Sequence, residues 1–180
     1  ATDEQIRENR SRVTDTDAKI IHFLVRRNRE SYLCEPKILT RLLYNRWNQR
    51  YPNQDYPDDL KETAINQFFV NCARDAEVDV QTTFLMEQEQ YLRGNAEERE
   101  RKTRKVTQYF KENYSDIIAS GQIPYKLFDS KATLRKFRKK ISDDHRFSFN
   151  DKEILSFFEQ EDIPEEICAI ISDLIQISEN

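Results

Sequence analysis

The sequence predicts an all-α protein built from small three-helix units in tandem and joined by a long helix. Its 180 residues include only two Gly and five Pro, too few for the many tight turns of a β-sandwich or for a glycine-rich phosphate loop. Apolar residues recur at helical spacing through most of the chain. Eleven Phe, eight Tyr and one Trp supply large side chains for a core.

Three helices are predicted in the first 75 residues. The first runs through DTDAKIIHFLVRRN after a cap at Thr14 or Asp15. The second begins at Pro36, because proline suits the first turn of a helix. Its apolar stripe comprises Ile38, Leu39, Leu42, Leu43 and Trp47. After a proline-bearing loop, YPNQDYPDD, the third helix runs through DDLKETAINQFFVNCARD.

The middle of the chain is predicted to contain one moderate helix and one long helix. The segment AEVDVQTTFLMEQEQYLRGN is helical from about Val80, although VDV also suits a short extended piece. Gly94 and Asn95 form the best internal break. The charged stretch AEERERKTRKVTQYFKENYSDIIASG then predicts a long helix that ends at Gly121.

Residues 129–141, DSKATLRKFRKKI, predict an amphipathic helix capped by Asp129 or Ser130. Its buried side is defined by three apolar residues at i, i+3 and i+7: Leu134, Phe137 and Ile141. Two further helices are predicted in RFSFNDKEILSFFEQ and IPEEICAIISDLIQI, the second opened by Pro164.

Charge is sorted along the chain, although the formal net charge is only −4. Residues 99–141 contain 13 Lys and Arg against 4 Asp and Glu, a net charge of +9, and residues 142–180 have a net charge of −9. Mixed helix surfaces gain weak ion pairs by alternating sign, so sorted charge gives up those pairs and adds self-repulsion. A polyanionic partner, or the acidic end of the chain itself, would offset this cost.

The cations that could contact a polyanion fall into three groups. On the predicted helix at 129–141 they are Lys131, Arg135, Lys136, Arg138, Lys139 and Lys140. On the start of the long helix, where we expect phosphate contacts, they are Arg99, Arg101, Lys102, Arg104 and Lys105. A second contact area in the first half of the chain comprises Arg26, Arg27, Arg41 and Arg46.

Two segments 134 positions apart share a pattern: RVTDTDAKIIHFL at 12–24 and RFSFNDKEILSFF at 146–158. Each precedes a proline-led amphipathic helix, and convergence explains such a match as well as true repetition does. The pattern resembles the first half of a Myb-like or homeodomain-like helix-turn-helix unit. The middle segment resembles a complete copy, with helices around Thr103–Tyr114, near Ile123–Phe128 and in the basic stretch.

This resemblance implies that the third helix of the middle unit enters the major groove of DNA. The recognition positions of the family would fall on Lys131, Arg135, Lys136, Arg138 and Lys139. Tandem divergent units of this kind are similar to those of double-strand telomere-binding proteins, so the resemblance implies a nuclear protein that binds double-stranded DNA. The units expected are a flexible N-terminus at 1–11, a helical unit at 12–93, a basic homeodomain-like unit at 96–141 and an acidic helical pair at 142–180.

A helical protein-interaction module without nucleic-acid binding is the alternative. The last predicted helix has more aliphatic residues than one stripe can bury, which predicts a homodimer or a protein partner through Ile167, Ile170, Ile171, Leu174 and Ile175.

We expect no enzyme, cofactor or metal, because His22 and His145 lack recognisable ligand spacing and nucleotide or hydrolase motifs are absent. Cys34, Cys72 and Cys168 are odd in number and have apolar neighbours, which predicts buried, reduced thiols of an intracellular protein. No apolar run is long enough to span a membrane.

Overall fold

The computed structural model describes residues 29–165, 167–169 and 171–172. Regular structure in these residues is entirely helical, and they contain no strand, which confirms the predicted all-α class. The first predicted helix, with Arg26 and Arg27, lies outside the described residues.

The α-helices are numbered here in chain order over the described residues. They are α1 (Pro36–Arg50), α2 (Glu62–Asp75), α3 (Glu77–Glu87), α4 (Ala96–Phe110), α5 (Asp116–Ala119), α6 (Ser130–His145) and α7 (Asp151–Leu155). Short 3-10 helices occur at Arg29–Tyr32, Asp58–Leu60 and Gln160–Asp162, and a π-helical turn at Lys111–Ser115 connects α4 to α5.

Helix α1 confirms the prediction made from its proline. Pro36 occupies the first turn, where its missing N–H costs no intrahelical hydrogen bond. The predicted stripe, from Ile38 to Trp47, is buried along its whole length. Trp47 also donates from Nε1 to the carbonyl of Gln54 at 3.3 Å, which attaches the proline-bearing loop to the helix.

Helix α2 is the centre of the fold, because α1, α3, α5 and α6 all pack against it. The Phe69 side chain is fully buried and contacts the rings of Phe128 and Phe137. The sequence of residues 78–80, VDV, also suited a short extended piece. In the structure these residues are helical and belong to α3.

The long basic helix begins at the predicted break. The Asn95 side chain accepts a hydrogen bond from the Glu98 N–H, and the Glu98 carboxylate accepts one from the Asn95 N–H, which together form a capping box. After α4, the π-helical turn and α5 bring Tyr114 into the core, where its hydroxyl donates to the Ala73 carbonyl at 2.9 Å. Gly121, with φ of 78°, ends the segment as predicted.

Helix α6 is capped by Asp129, whose carboxylate accepts a hydrogen bond from the Ala132 N–H at 3.1 Å. Ser130, the other predicted cap, is instead buried, and its hydroxyl lies 3.0 Å from that of Ser31. Leu134, Phe137 and Ile141 are buried as predicted.

Buried residues from Leu33 to Ile154 form one hydrophobic cluster that draws on all three predicted helical units. The helix predicted over residues 146–160 was too long, because Asn150 caps a helix that covers only Asp151–Leu155. Beyond Pro164, the described residues are helical. The division into tandem three-helix units stays a prediction.

Candidate nucleic-acid interface

The outer side of α6 presents four cationic side chains. Lys131, Arg135, Lys136 and Lys139 are all exposed. Among the described residues, none of the four has a carboxylate oxygen within 4.0 Å of its charged nitrogen atoms. We call these four residues the α6 cationic face.

The exposure of this face follows from the helical repeat. The residues Leu134, Phe137 and Ile141 turn one side of α6 toward α2, so positions three or four residues apart on the opposite side turn outward. From Lys131 to Lys139 the face extends about 12 Å, at 1.5 Å per residue. Asp143, one turn beyond Lys139, marks its end.

Two further predicted contact residues of α6 are engaged within the chain. The Arg138 guanidinium pairs with Asp151 and lies 5.6 Å from the centre of the Phe149 ring. Lys140 pairs with Asp144 one turn away, and this pairing lowers the pKa of Asp144. Whether these two cations contact DNA stays a prediction.

The start of α4 has a mixed charge pattern. Arg99, Arg101, Arg104 and Lys105 are exposed, and Arg104 pairs with Glu100. Lys102 is half-buried, and its ammonium donates to the Arg93 carbonyl at 2.7 Å and lies 5.4 Å from the centre of the Tyr91 ring. Acidic residues are favourable at a helix N-terminus because of the helix dipole. In the first turns of α4 they alternate with the cations that are predicted to contact phosphates.

The basic side of α1 forms ion pairs with the acidic C-terminal segment. The Lys37 ammonium lies 3.2 Å from Glu161 and 2.9 Å from Asp162. The Arg41 guanidinium pairs with Asp162 and lies 3.1 Å from Glu159. We call Glu159, Glu161 and Asp162 the acidic clasp.

The clasp carboxylate of Asp162 is stabilised in its charged form. Burial alone would raise its pKa, since its side chain is only 5% exposed. The Glu159 N–H, Lys37 and Arg41 oppose this effect and lower the pKa of Asp162 to about 2. The same contacts raise the pKa of Lys37 and of Arg41, in each case chiefly through the hydrogen bond to Asp162.

A neighbouring ion pair docks α7 on the same helix. Arg46 of α1 pairs with Glu153 of α7, and the two helices pack together. Arg41 and Arg46, predicted from sequence as DNA contacts, are thus both held by carboxylates of their own chain. Their role in DNA binding stays a prediction.

The histidine and cysteine side chains have structural surroundings. His145 Nε2 lies 2.9 Å from an Asp59 oxygen, and its ring contacts Trp47 edge-on. Within the described part of the chain, no group of three His, Cys, Asp or Glu residues could hold a metal ion. Cys34 is buried as expected, but Cys168 is exposed, so the prediction of a buried thiol was wrong there.

The predicted partner-binding residues are only partly described. Ile171 is 47% exposed and Ile167 is half-buried, whereas Ile170, Leu174 and Ile175 lie outside the described residues. Leu155, at the end of α7, is 56% exposed. No helix in the described ranges is long and apolar enough to cross a membrane.

No protein-family model, curated protein or solved structure matches this chain.

Proposed function

We propose that the protein binds double-stranded DNA through the α6 cationic face. One observation supports this function above the others. Within the acidic end of the chain, Asp151 and Asp144 pair with Arg138 and Lys140, and the clasp pairs with α1. Lys131, Arg135, Lys136 and Lys139 are left without a carboxylate partner among the described residues.

The chemistry of the face suits the DNA backbone. Lys and Arg neutralise phosphates and release condensed counterions, so the logarithm of the binding constant falls linearly with that of the salt concentration. If all four side chains contact phosphates, the slope is about −3.6. Arg135 can also form a bidentate contact with guanine, which is worth about 1 to 3 kcal/mol of discrimination.

The surroundings of α6 are compatible with a recognition helix. Its apolar side packs on α2 while its cationic side faces outward, as the resemblance to homeodomain-like units requires of a third helix. The proposal includes a nuclear location, where the protein would bind chromosomal DNA.

Fluorescence anisotropy with labelled duplexes of varied sequence, at two salt concentrations, tests the function. The variant K131Q/R135Q/K136Q/K139Q should lose at least tenfold in affinity at low salt, and its salt slope should be shallower than that of the wild type by up to about 3.6. A matched control, K61Q/R74Q/R93Q/K111Q, removes four exposed cations from other elements and reaches the same net charge. This control should stay within threefold of the wild type.

No binding by the wild-type protein at low salt would exclude the function. An equal loss in both variants would show that only the net charge matters, and would exclude the α6 cationic face as the site.

A protein-interaction module is the second candidate, favoured by the exposed aliphatic groups Leu155 and Ile171. Their burial against another chain would stabilise an assembly through the hydrophobic effect. Light scattering over a range of concentrations should then detect an oligomer, and Ile171→Asp should shift it toward the monomer. A monomer at every concentration would exclude self-association.

A further inference from the structure

We propose that Lys37 and Arg41 of α1 form a second DNA-contacting surface, whose charges the acidic clasp neutralises in the free protein. This inference rests on the proposed function of the α6 cationic face and adds an intramolecular competitor to it. The clasp presents three carboxylates to these two cations, as consecutive phosphates would.

Lys37 and Arg41 lie close enough to the α6 cationic face to share a duplex with it. The Cys34 thiol donates to the Ser130 carbonyl at 3.7 Å, and the Ser31 and Ser130 hydroxyls are 3.0 Å apart. Lys37 follows Cys34 by three residues and Lys131 follows Ser130 directly, so their Cα atoms are at most about 25 Å apart. A duplex presents one charge per about 1.7 Å of its axis and spans this distance easily.

The clasp is accessible to competition. Glu159 and Glu161 are exposed, and pairs between exposed charges contribute little stability, typically about 0 to 1 kcal/mol. Phe157 and Phe158 anchor the same segment to the core independently of its charges. A polyanion can therefore displace Glu159 and Glu161 while the segment stays attached, whereas the Asp162 carboxylate, only 5% exposed, remains the main competitor for Lys37 and Arg41 in the wild-type protein.

Comparing a variant that lacks the clasp carboxylates with a control of equal net charge distinguishes this proposal from a general effect of net charge. The variant E159Q/E161Q/D162N should bind duplex DNA more tightly than the control D55N/D75N/E89Q, which has the same net charge. Two additional phosphate contacts should also steepen the salt slope by about 1.8. Thermal melts verify folding. If the triple variant does not fold, E159Q/E161Q replaces it and is compared with D55N/E89Q, which has the same net charge, and its gain should be smaller because Asp162 still pairs with Lys37 and Arg41.

The gain must depend on Lys37 and Arg41. Adding K37Q/R41Q to the clasp variant should return the salt slope to the wild-type value, whereas K37Q/R41Q alone should change the slope much less. Equal affinities and slopes for the clasp variant and its control would overturn the inference, as would a gain that persists with K37Q/R41Q. Absence of binding by every variant would instead overturn the proposed function, and this inference with it.

Discussion

At the scale of single residues, ion pairing within the chain determines which cations are available to an external anion in the free protein. Arg41 and Arg138 carry the same charge as Arg135, but carboxylates of the chain hold the first two. Arg135 has no such partner in the described part of the chain. Its charge therefore remains available to an external anion.

Asp162 should contribute to the acid sensitivity of the fold. Its pKa is about 2 in the folded protein, below the ordinary value of 3.8, so the unfolded chain binds its proton more readily. The stabilisation from Asp162 is complete above about pH 4 and is lost as pH falls toward 2. Melting temperatures at pH 6 and pH 3 should differ less for Asp162→Asn than for the wild type.

Exposed Glu89 provides the control for this comparison, because it forms no ion pair with the other described residues. Glu89→Gln should retain the wild-type difference between the two pH values. An unchanged difference in the Asp162→Asn variant would show that the clasp does not contribute to acid sensitivity.

At the scale of elements, α6 has two sides with different tasks. Its apolar side attaches the helix to α2, and the side chains of its cationic face are exposed. Stability and binding should therefore respond to different substitutions in the same helix.

Phe137→Ala should lower the free energy of unfolding by about 3 to 5 kcal/mol, because it leaves a cavity beside Phe68 and Phe69. Arg135→Ala should stay within about 0.5 kcal/mol of the wild type, as exposed positions usually do. Urea unfolding measures both values. A comparable loss in the two variants would mean that the cationic face helps to hold the fold.

The capping box should determine how firmly α4 begins. Asn95→Ala removes the acceptor for the Glu98 N–H and should cost about 1 kcal/mol. Faster hydrogen exchange of the amides in the first turn would report the loss. Thr103→Ala, at an exposed position within the helix, should leave that exchange unchanged, and identical exchange in both variants would contradict the role of the cap.

At the scale of the whole molecule, the core joins segments that the charge pattern separates. Phe110, Tyr114 and Phe128 belong to the basic segment, residues 99–141. Two residues that precede this segment contact them: Phe84 packs against Phe110, and Phe69 packs against Phe128. The basic segment therefore relies on α2 and α3 for burial of its apolar groups.

A fragment of residues 96–141 should be largely unfolded in isolation, because its apolar side would lose these partners. Circular dichroism should show low helicity without a cooperative melt for the fragment and a cooperative melt for the full chain. A fragment that folds cooperatively would instead show that the basic segment is an independent folding unit.

The local structure of this protein was largely predictable from its sequence. The small number of glycines correctly predicted the helical class. Three local signals correctly predicted helices: the proline at position 36, the break at Gly94 and the apolar stripe of α6. The short α7 was predicted less well, because Asn150 and Glu153 form a capping box well inside the segment predicted to be helical.

The sequence by itself determined the helical class and the outward side of α6, because helical periodicity depends only on residues a few positions apart. Only the tertiary structure decided which cations the acidic end neutralises. Arg41 and Asp162 are 121 positions apart, and their pairing depends on how α7 and the clasp pack against α1. Long-range ion pairs follow from packing geometry, which leaves no local pattern in the chain.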